Sequence, residues 1–137
     1  MIEICNECKN DKIVLVKENK RSFKIINSSR VFINKVKVDK CFIKDGKRCD
    51  YLFEIECNNI KKVFYIELKG KDLKHAIEQI LATIEVCKSS HKGIKKYAFV
   101  ILSRYPKEDS SIQKQKRLLK SQGIKFKSAT NLHEEVI

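Results

Sequence analysis

Three residues with complementary chemistry, Asp50, Glu67 and Lys69, stand at the outer ends of two neighbouring apolar segments. Asp50 through Cys57 and Ile60 through Lys69 are rich in aromatic and β-branched side chains, and Asn58 and Asn59 separate them. Asn tolerates positive φ, so the pattern predicts two strands folded back on each other through a tight turn. With a two-residue turn, Cys57 faces Ile60 and, counting outward, Asp50 faces Glu67. Side chains alternate along a strand, which puts Glu67 and Lys69 on one face and Ile66 and Leu68 on the other. Two facing carboxylates destabilise a strand pair and oppose each other's ionisation. A divalent cation reverses that problem, because Mg²⁺ takes hard oxygen ligands such as one or two carboxylates, waters and phosphate. A lysine beside it could orient an attacking water or balance charge building on phosphorus. The chemistry this plan suits is metal-assisted hydrolysis of a phosphodiester. The competing reading is a solvated hairpin face with an incidental salt bridge between Glu67 and a lysine.

Asp50, then sixteen residues, then Glu67, Leu68 and Lys69 closing a hydrophobic strand that leads into a helix, resembles the PD-(D/E)xK nuclease superfamily. That superfamily includes many restriction endonucleases, archaeal Holliday junction resolvases and RecB-type nucleases. The resemblance implies an α/β, restriction endonuclease-like core with a central mixed β-sheet flanked by helices, here preceded by a β-rich N-terminal extension. It implies Asp50 and Glu67 as ligands of Mg²⁺ (or Mn²⁺), aided by the Leu68 backbone carbonyl, and Lys69 as the catalytic lysine. A glutamine on the helix after the ExK motif points back at the active site in several such families, which marks Gln79; the alternative is an ordinary boundary residue. The implied partner is nucleic acid, DNA rather than RNA, and homodimerisation is common in such enzymes. Two departures stand out. Cys49 occupies the position of the name-giving proline, and no helix before Asp50 supplies a further glutamate, since Glu3, Glu7 and Glu18 have no compelling position. The missing glutamate bears on a second metal and not on the first, and the number of metals stays open between one and two. The rival reading is a non-catalytic nucleic-acid-binding or protein-interaction module on the same fold.

Composition sets the outer bounds. The 137 residues are expected to form one domain, with the nuclease-like core at about residues 31–128. Thirty Lys and Arg against 17 Asp and Glu give a net charge of +13, suited to a polyanion, although a Lys-, Ile- and Asn-rich composition would also inflate the count. No apolar run reaches membrane-spanning length and the first residues lack the layout of a secretion signal, so the expected location is cytoplasmic, with no membrane partner. Six cysteines (Cys5, Cys8, Cys41, Cys49, Cys57 and Cys87) are accordingly expected as reduced thiols. Cys5 and Cys8 have the spacing of half a zinc site but lack a matching second pair.

The positioning elements follow from periodicity. Residues 1–11 read as a short helix or an extended arm. Lys12 through Lys17 and Ser22 through Ile26 are strand candidates; Val31 through Ile43 is Val-, Ile- and Phe-rich, and Asp45 and Gly46 mark a turn. After Gly70, Asp72 is a good N-cap for a helix from Leu73 to about Lys88, with Leu73, Ala76, Ile77, Ile80, Leu81, Ile84 and Cys87 forming one apolar stripe. Within it, His75 reads as a surface or boundary residue. Residues 89–93 read as a loop. Lys96 through Ser103 reads as a strand buried on both faces, completing a strand–helix–strand unit of the parallel kind. A second helix is expected from Ser110 or Ser111 to about Gln122, carrying Lys114, Lys116, Arg117 and Lys120. Ile124 through Ser128 reads as an edge strand, and residues 129–137 as a tail or helical turn.

Overall fold

The computed structural model describes residues 5–57, 59–68, 72–107 and 109–137. Among the described residues, nine strands and two helices run in the order β1 (Asn6–Lys9), β2 (Ile13–Glu18), β3 (Arg21–Ile26), β4 (Ile33–Lys37), β5 (Tyr51–Ile55), β6 (Lys62–Glu67), α1 (Leu73–Val86), β7 (Lys95–Leu102), α2 (Ser110–Ser121), β8 (Ile124–Thr130) and β9 (Leu132–Val136). A mixed six-stranded sheet has the order β1-β4-β5-β6-β7-β8, and β2-β3-β9 form a second, smaller sheet. The first four strands of the large sheet pair antiparallel, while β6-β7 and β7-β8 are parallel. Each parallel pair is joined through a helix, as a parallel connection requires.

Side-chain alternation divides this sheet between two cores. Leu52, Val63, Tyr65, Ala98, Val100 and Leu102 face α1 and α2 and pack with Leu73, Ile77, Ile80, Ile112 and Leu119. Phe53, Ile55, Phe64, Ile66, Leu68, Phe99 and Ile101 face the small sheet and pack against Val16, Phe23 and Ile25. The layers are therefore helices, large sheet, small sheet. The helices cover one face only, and the N-terminal strands expected to form an extension cover the other. The central strands β6 and β7 are buried on both faces, which explains their near-continuous apolar sequences.

The ends of the chain depart from the sequence reading. Residues 132–136, expected as a tail or helical turn, form β9, parallel to β3. Asn131 turns the corner at φ 65°, carrying the chain directly from the large sheet into the small one. The β9 strand was hidden because its pattern is inverted. His133 faces inward and stacks on Phe23, while Leu132 and Val136 point outward at 47% and 68% exposure. Buried packing accordingly includes Val16, Phe23 and Ile25 at one end of the chain and Ala129 and Ile137 at the other. Asp109, not Ser110 or Ser111, caps α2 by accepting from the Ile112 N–H, because its carboxylate also receives the Ser111 hydroxyl. The first helix ends at Val86, two residues short of the expected Lys88, with Cys87 as its C-cap.

The expectation of six reduced thiols is overturned. Cys5 is bonded to Cys41 and Cys8 to Cys57, leaving Cys49 and Cys87 as buried free cysteines. The zinc reading of Cys5 and Cys8 goes with it, since each is committed to a different partner. These bonds explain how β1, whose four residues are all exposed, holds its place at the sheet edge: it pairs with β4 and is tied covalently to the chain on both sides of β5. Among the described residues, no helix is long and apolar enough to cross a membrane.

Loops of 36 and 49 residues closed by the two bonds correspond to roughly 4 kcal/mol each in the chain-entropy account. Titration of the denatured, unreduced chain should find two reactive thiols, and reduction should lower the melting temperature by on the order of 10 °C. Six reactive thiols, or a melting temperature unmoved by reductant, would contradict this bonding.

Candidate active site

The register Tyr51↔Ile66 through Ile55↔Lys62 is the one that the hairpin count predicts, and its continuation sets Asp50 opposite Glu67. The turn itself differs. The strands stop at Ile55 and Lys62, and the reversal starts at Glu56, which has φ 67° and whose carbonyl accepts from Asn59 N. Asn58 lies outside the described residues. The register survives a wider turn because it is fixed by which side chains must be buried.

Asp50 and Glu67 are both buried, with exposures of 3% and 0%. They lie where β5 begins and β6 ends, at the carboxyl end of the parallel strands and just before the start of α1. Ligands of open α/β sheets commonly bind at this end, outside the strands' carboxyl termini. One oxygen of Asp50, Oδ2, accepts the Leu68 N–H at 2.7 Å, locking the carboxylate onto the end of β6. The Leu68 side chain is fully buried toward the small sheet. Its carbonyl accepts from Arg21 Nε at 2.7 Å, and the same guanidinium reaches Ser103 Oγ at 2.8 Å. Arg21 thus clamps the ends of β6 and β7 to the start of β3. Lys69 lies outside the described residues.

The segment entering the site is held by α1. Gln79 Oε1 accepts from Arg48 N at 3.2 Å, and one turn later Thr83 Oγ1 accepts from Cys49 N at 2.8 Å. Arg48 in turn donates to Asp39 at 2.7 Å. Gln79 therefore does approach this region, but its amide oxygen is bound to the backbone leading into Asp50. His75 is exposed on α1, as a surface residue. Burial pushes the Cys49 thiol well above its ordinary range, and the Glu67 and Asp50 carboxylates push it further the same way. Cys49 thus stays a neutral thiol beside two acids and adds no third anion.

The carboxylate pair suits a hard divalent cation: both donors are oxygens, and the register sets them opposite each other across β5 and β6. The Leu68 carbonyl fits this role less well, because it already faces a guanidinium cation. Among the described residues, no group of three or more His, Cys, Asp and Glu side chains is arranged to hold a metal.

A second polar cluster was not visible in sequence. His91, in the loop after α1, is 1% exposed and bonds Tyr65 through Nδ1 and Glu54 through Nε2, both at 2.6 Å. An ionised carboxylate only accepts, so Nε2 donates to Glu54. Asn34 donates to the other Glu54 oxygen at 2.8 Å. Burial holds the Tyr65 phenol protonated, and the chain of bonds ties β4, β5 and β6 to the His91 loop. Arg21, Thr83 and His91 carried no local sequence signal. Each acts across a distance in sequence that periodicity does not reach.

Comparison of the chain with models of known protein families, with curated proteins and with solved structures finds no match.

Glu54 is held below the ordinary carboxylate value of 4.5, chiefly by its bond to His91. A lowered folded value means that its stabilisation is complete above pH 4.5 and disappears as pH falls through that lowered value. Denaturant unfolding from pH 7 down to pH 3 should therefore show a loss of stability below pH 4.5 that is shallower in Glu54→Gln. Identical acid limbs in the two proteins would remove Glu54 from this role.

Proposed function

We propose that the chain is a metal-dependent nuclease that hydrolyses phosphodiester bonds, DNA in preference to RNA, with Asp50 and Glu67 at its centre and a PD-(D/E)xK-type, restriction endonuclease-like arrangement. The observation that carries this reading is the pairing of two buried carboxylates across β5 and β6, at the carboxyl end of the parallel strands. The net charge of +13 supports a polyanionic substrate.

Asp50 and Glu67 would hold a Mg²⁺-type ion, which when bound supplies Lewis-acid polarisation of a phosphoryl oxygen and acidifies bound water. The chain's own residues prepare the place. The Leu68 N–H fixes one Asp50 oxygen and so sets the direction of the other. Arg21 fixes the strand end from which Lys69 follows, and Lys69 would set positive charge beside the phosphate or orient water. Gln79 and Thr83 act as positioning residues, holding the backbone of Arg48 and Cys49 so that Asp50 keeps its place.

A second reading is a non-catalytic nucleic-acid-binding or protein-interaction module. Two specific features favour it: Glu67 is completely buried, and the Leu68 carbonyl is occupied by Arg21.

Cleavage of labelled duplex, junction, flap and single-stranded DNA, with RNA counterparts, separates the readings. Mg²⁺ or Mn²⁺ should support cutting that EDTA abolishes, and Asp50→Asn, Glu67→Gln and Lys69→Ala should each lower the rate by roughly a hundredfold or more. Binding without cutting under every metal condition would hand the case to the binding module.

A further inference from the structure

The small sheet does not cover the whole face of the large one. Beyond its edge strand β2, the β1-β4 side of that face lies open, leaving a groove of about 540 Å³. Its floor is Ile33, Lys35 and Lys37 of β4 with Tyr51 of β5, and its wall is β2, presenting Ile13 and Leu15. These two residues are 54% and 45% exposed, unusual for aliphatic side chains on so charged a chain. At one end the groove continues into a cleft of about 210 Å³, sharing Lys37 and Tyr51 and lined also by Lys17, Lys40 and Asp50. The open path therefore reaches Asp50, one of the two residues of the candidate active site.

Charge is distributed unevenly along this path. In the outer limb, Lys9 pairs with Glu7, and Lys35 reaches across to the Leu15 carbonyl while lying 6.0 Å from the Tyr51 ring centre. Near Asp50, Asp39 is paired with Arg48, and Lys17, Lys37 and Lys40 line the cleft together with Glu18. All three lysines are exposed, and none makes an ion pair among the described residues. The surplus of positive charge thus sits beside Asp50, Tyr51 is shared by both limbs, and the apolar wall sits further out.

We infer that this groove binds a single strand of nucleic acid, with phosphates on Lys17, Lys37 and Lys40 and a base or sugar against Tyr51 and the Ile13–Leu15 wall. This rests on the nuclease reading for the identity of the polyanion, and it specifies the substrate as single-stranded where it meets the protein. Size supports the choice. Pockets of ~300–1,000 Å³ suit drug-sized ligands, so the groove holds on the order of two nucleotide units and is too small to enclose a duplex. Basic grooves with an aromatic platform are the general solution for single strands, since every base has a face to stack.

Fluorescence anisotropy with a labelled 12-nucleotide single strand, in EDTA so that cutting plays no part, tests the inference. The wild type should bind with a log K–log salt slope of about −2, from roughly 0.7 per phosphate contact. Lys17→Glu with Lys37→Glu should weaken binding at least tenfold, and Tyr51→Ala by about tenfold, with Tyr51→Phe restoring it. Lys88→Glu with Lys92→Glu makes the same charge change at exposed residues by the C-terminal end of α1 and should leave binding within twofold. Equal losses in both charge-reversed pairs, or a hairpin duplex that competes better than the single strand, would overturn the groove. A groove that binds as expected in a protein that never cuts sinks the catalytic reading alone; cutting that ignores the groove variants sinks the groove alone. Displacement of nothing by any strand, with an extended peptide binding instead, would reassign the β2 edge to protein recognition and reject the inference.

Discussion

The Asp50 carboxylate accepting the Leu68 backbone N–H is the contact on which the arrangement of the site depends. It works because the β5-β6 register brings the start of one strand to the end of the other, and a slip of one residue would put the two acids on opposite faces. Once the register holds, Asp50 fixes the exit of β6, Arg21 fixes the carbonyl of the same peptide unit's residue, and the chain leaves toward α1 in one direction. Both polar groups of Leu68 are thereby satisfied while its side chain is buried. A site built this way is rigid at the backbone, which suits a pair of charged groups kept out of water.

That rigidity is bought from both sides of the sheet. The α1 helix reaches down with Gln79 and Thr83 to the backbone before Asp50, and the small sheet reaches up with Arg21. Phe23 of β3 sits within an aromatic cluster, 4.8 Å from Phe99 and 6.0 Å from Phe53, so the clamp grows from a packed strand. The Asn34, Glu54, His91 and Tyr65 bonds secure the same three strands further along, away from the carboxylates. Edge strand β1 lacks any buried residue and depends instead on its disulfides.

What the sequence made legible was whatever is local or periodic. The Asp50–Glu67 pairing follows from alternation and a count, and α1 follows from an apolar stripe at three- and four-residue spacing with Asp72 at its head. The buried run from Lys96 onward marked a central strand for the same reason. The parts that stayed hidden are non-local or break the period. The β9 strand turns its aliphatic residues outward, β1 has no apolar residue to signal it, and the partners of Cys5 and Cys8 lie 36 and 49 residues away. Arg21 looked like part of a polar break, yet its position next to Phe23 in β3 delivers it to Leu68. Placing the N-terminal strands on the open face of the large sheet required knowing that the helices would occupy only the other.

The central claim is that Asp50 and Glu67 together form a cation site, and thermal unfolding across a Mn²⁺ and Mg²⁺ titration tests it without reference to any substrate. Removing a buried charge can change stability by itself, so the informative quantity is the dependence on metal within each protein. The account predicts a melting temperature that climbs with metal concentration in the wild type and stays flat in Asp50→Asn and Glu67→Gln. A flat titration in the wild type, or a climb that survives in both variants, would contradict it.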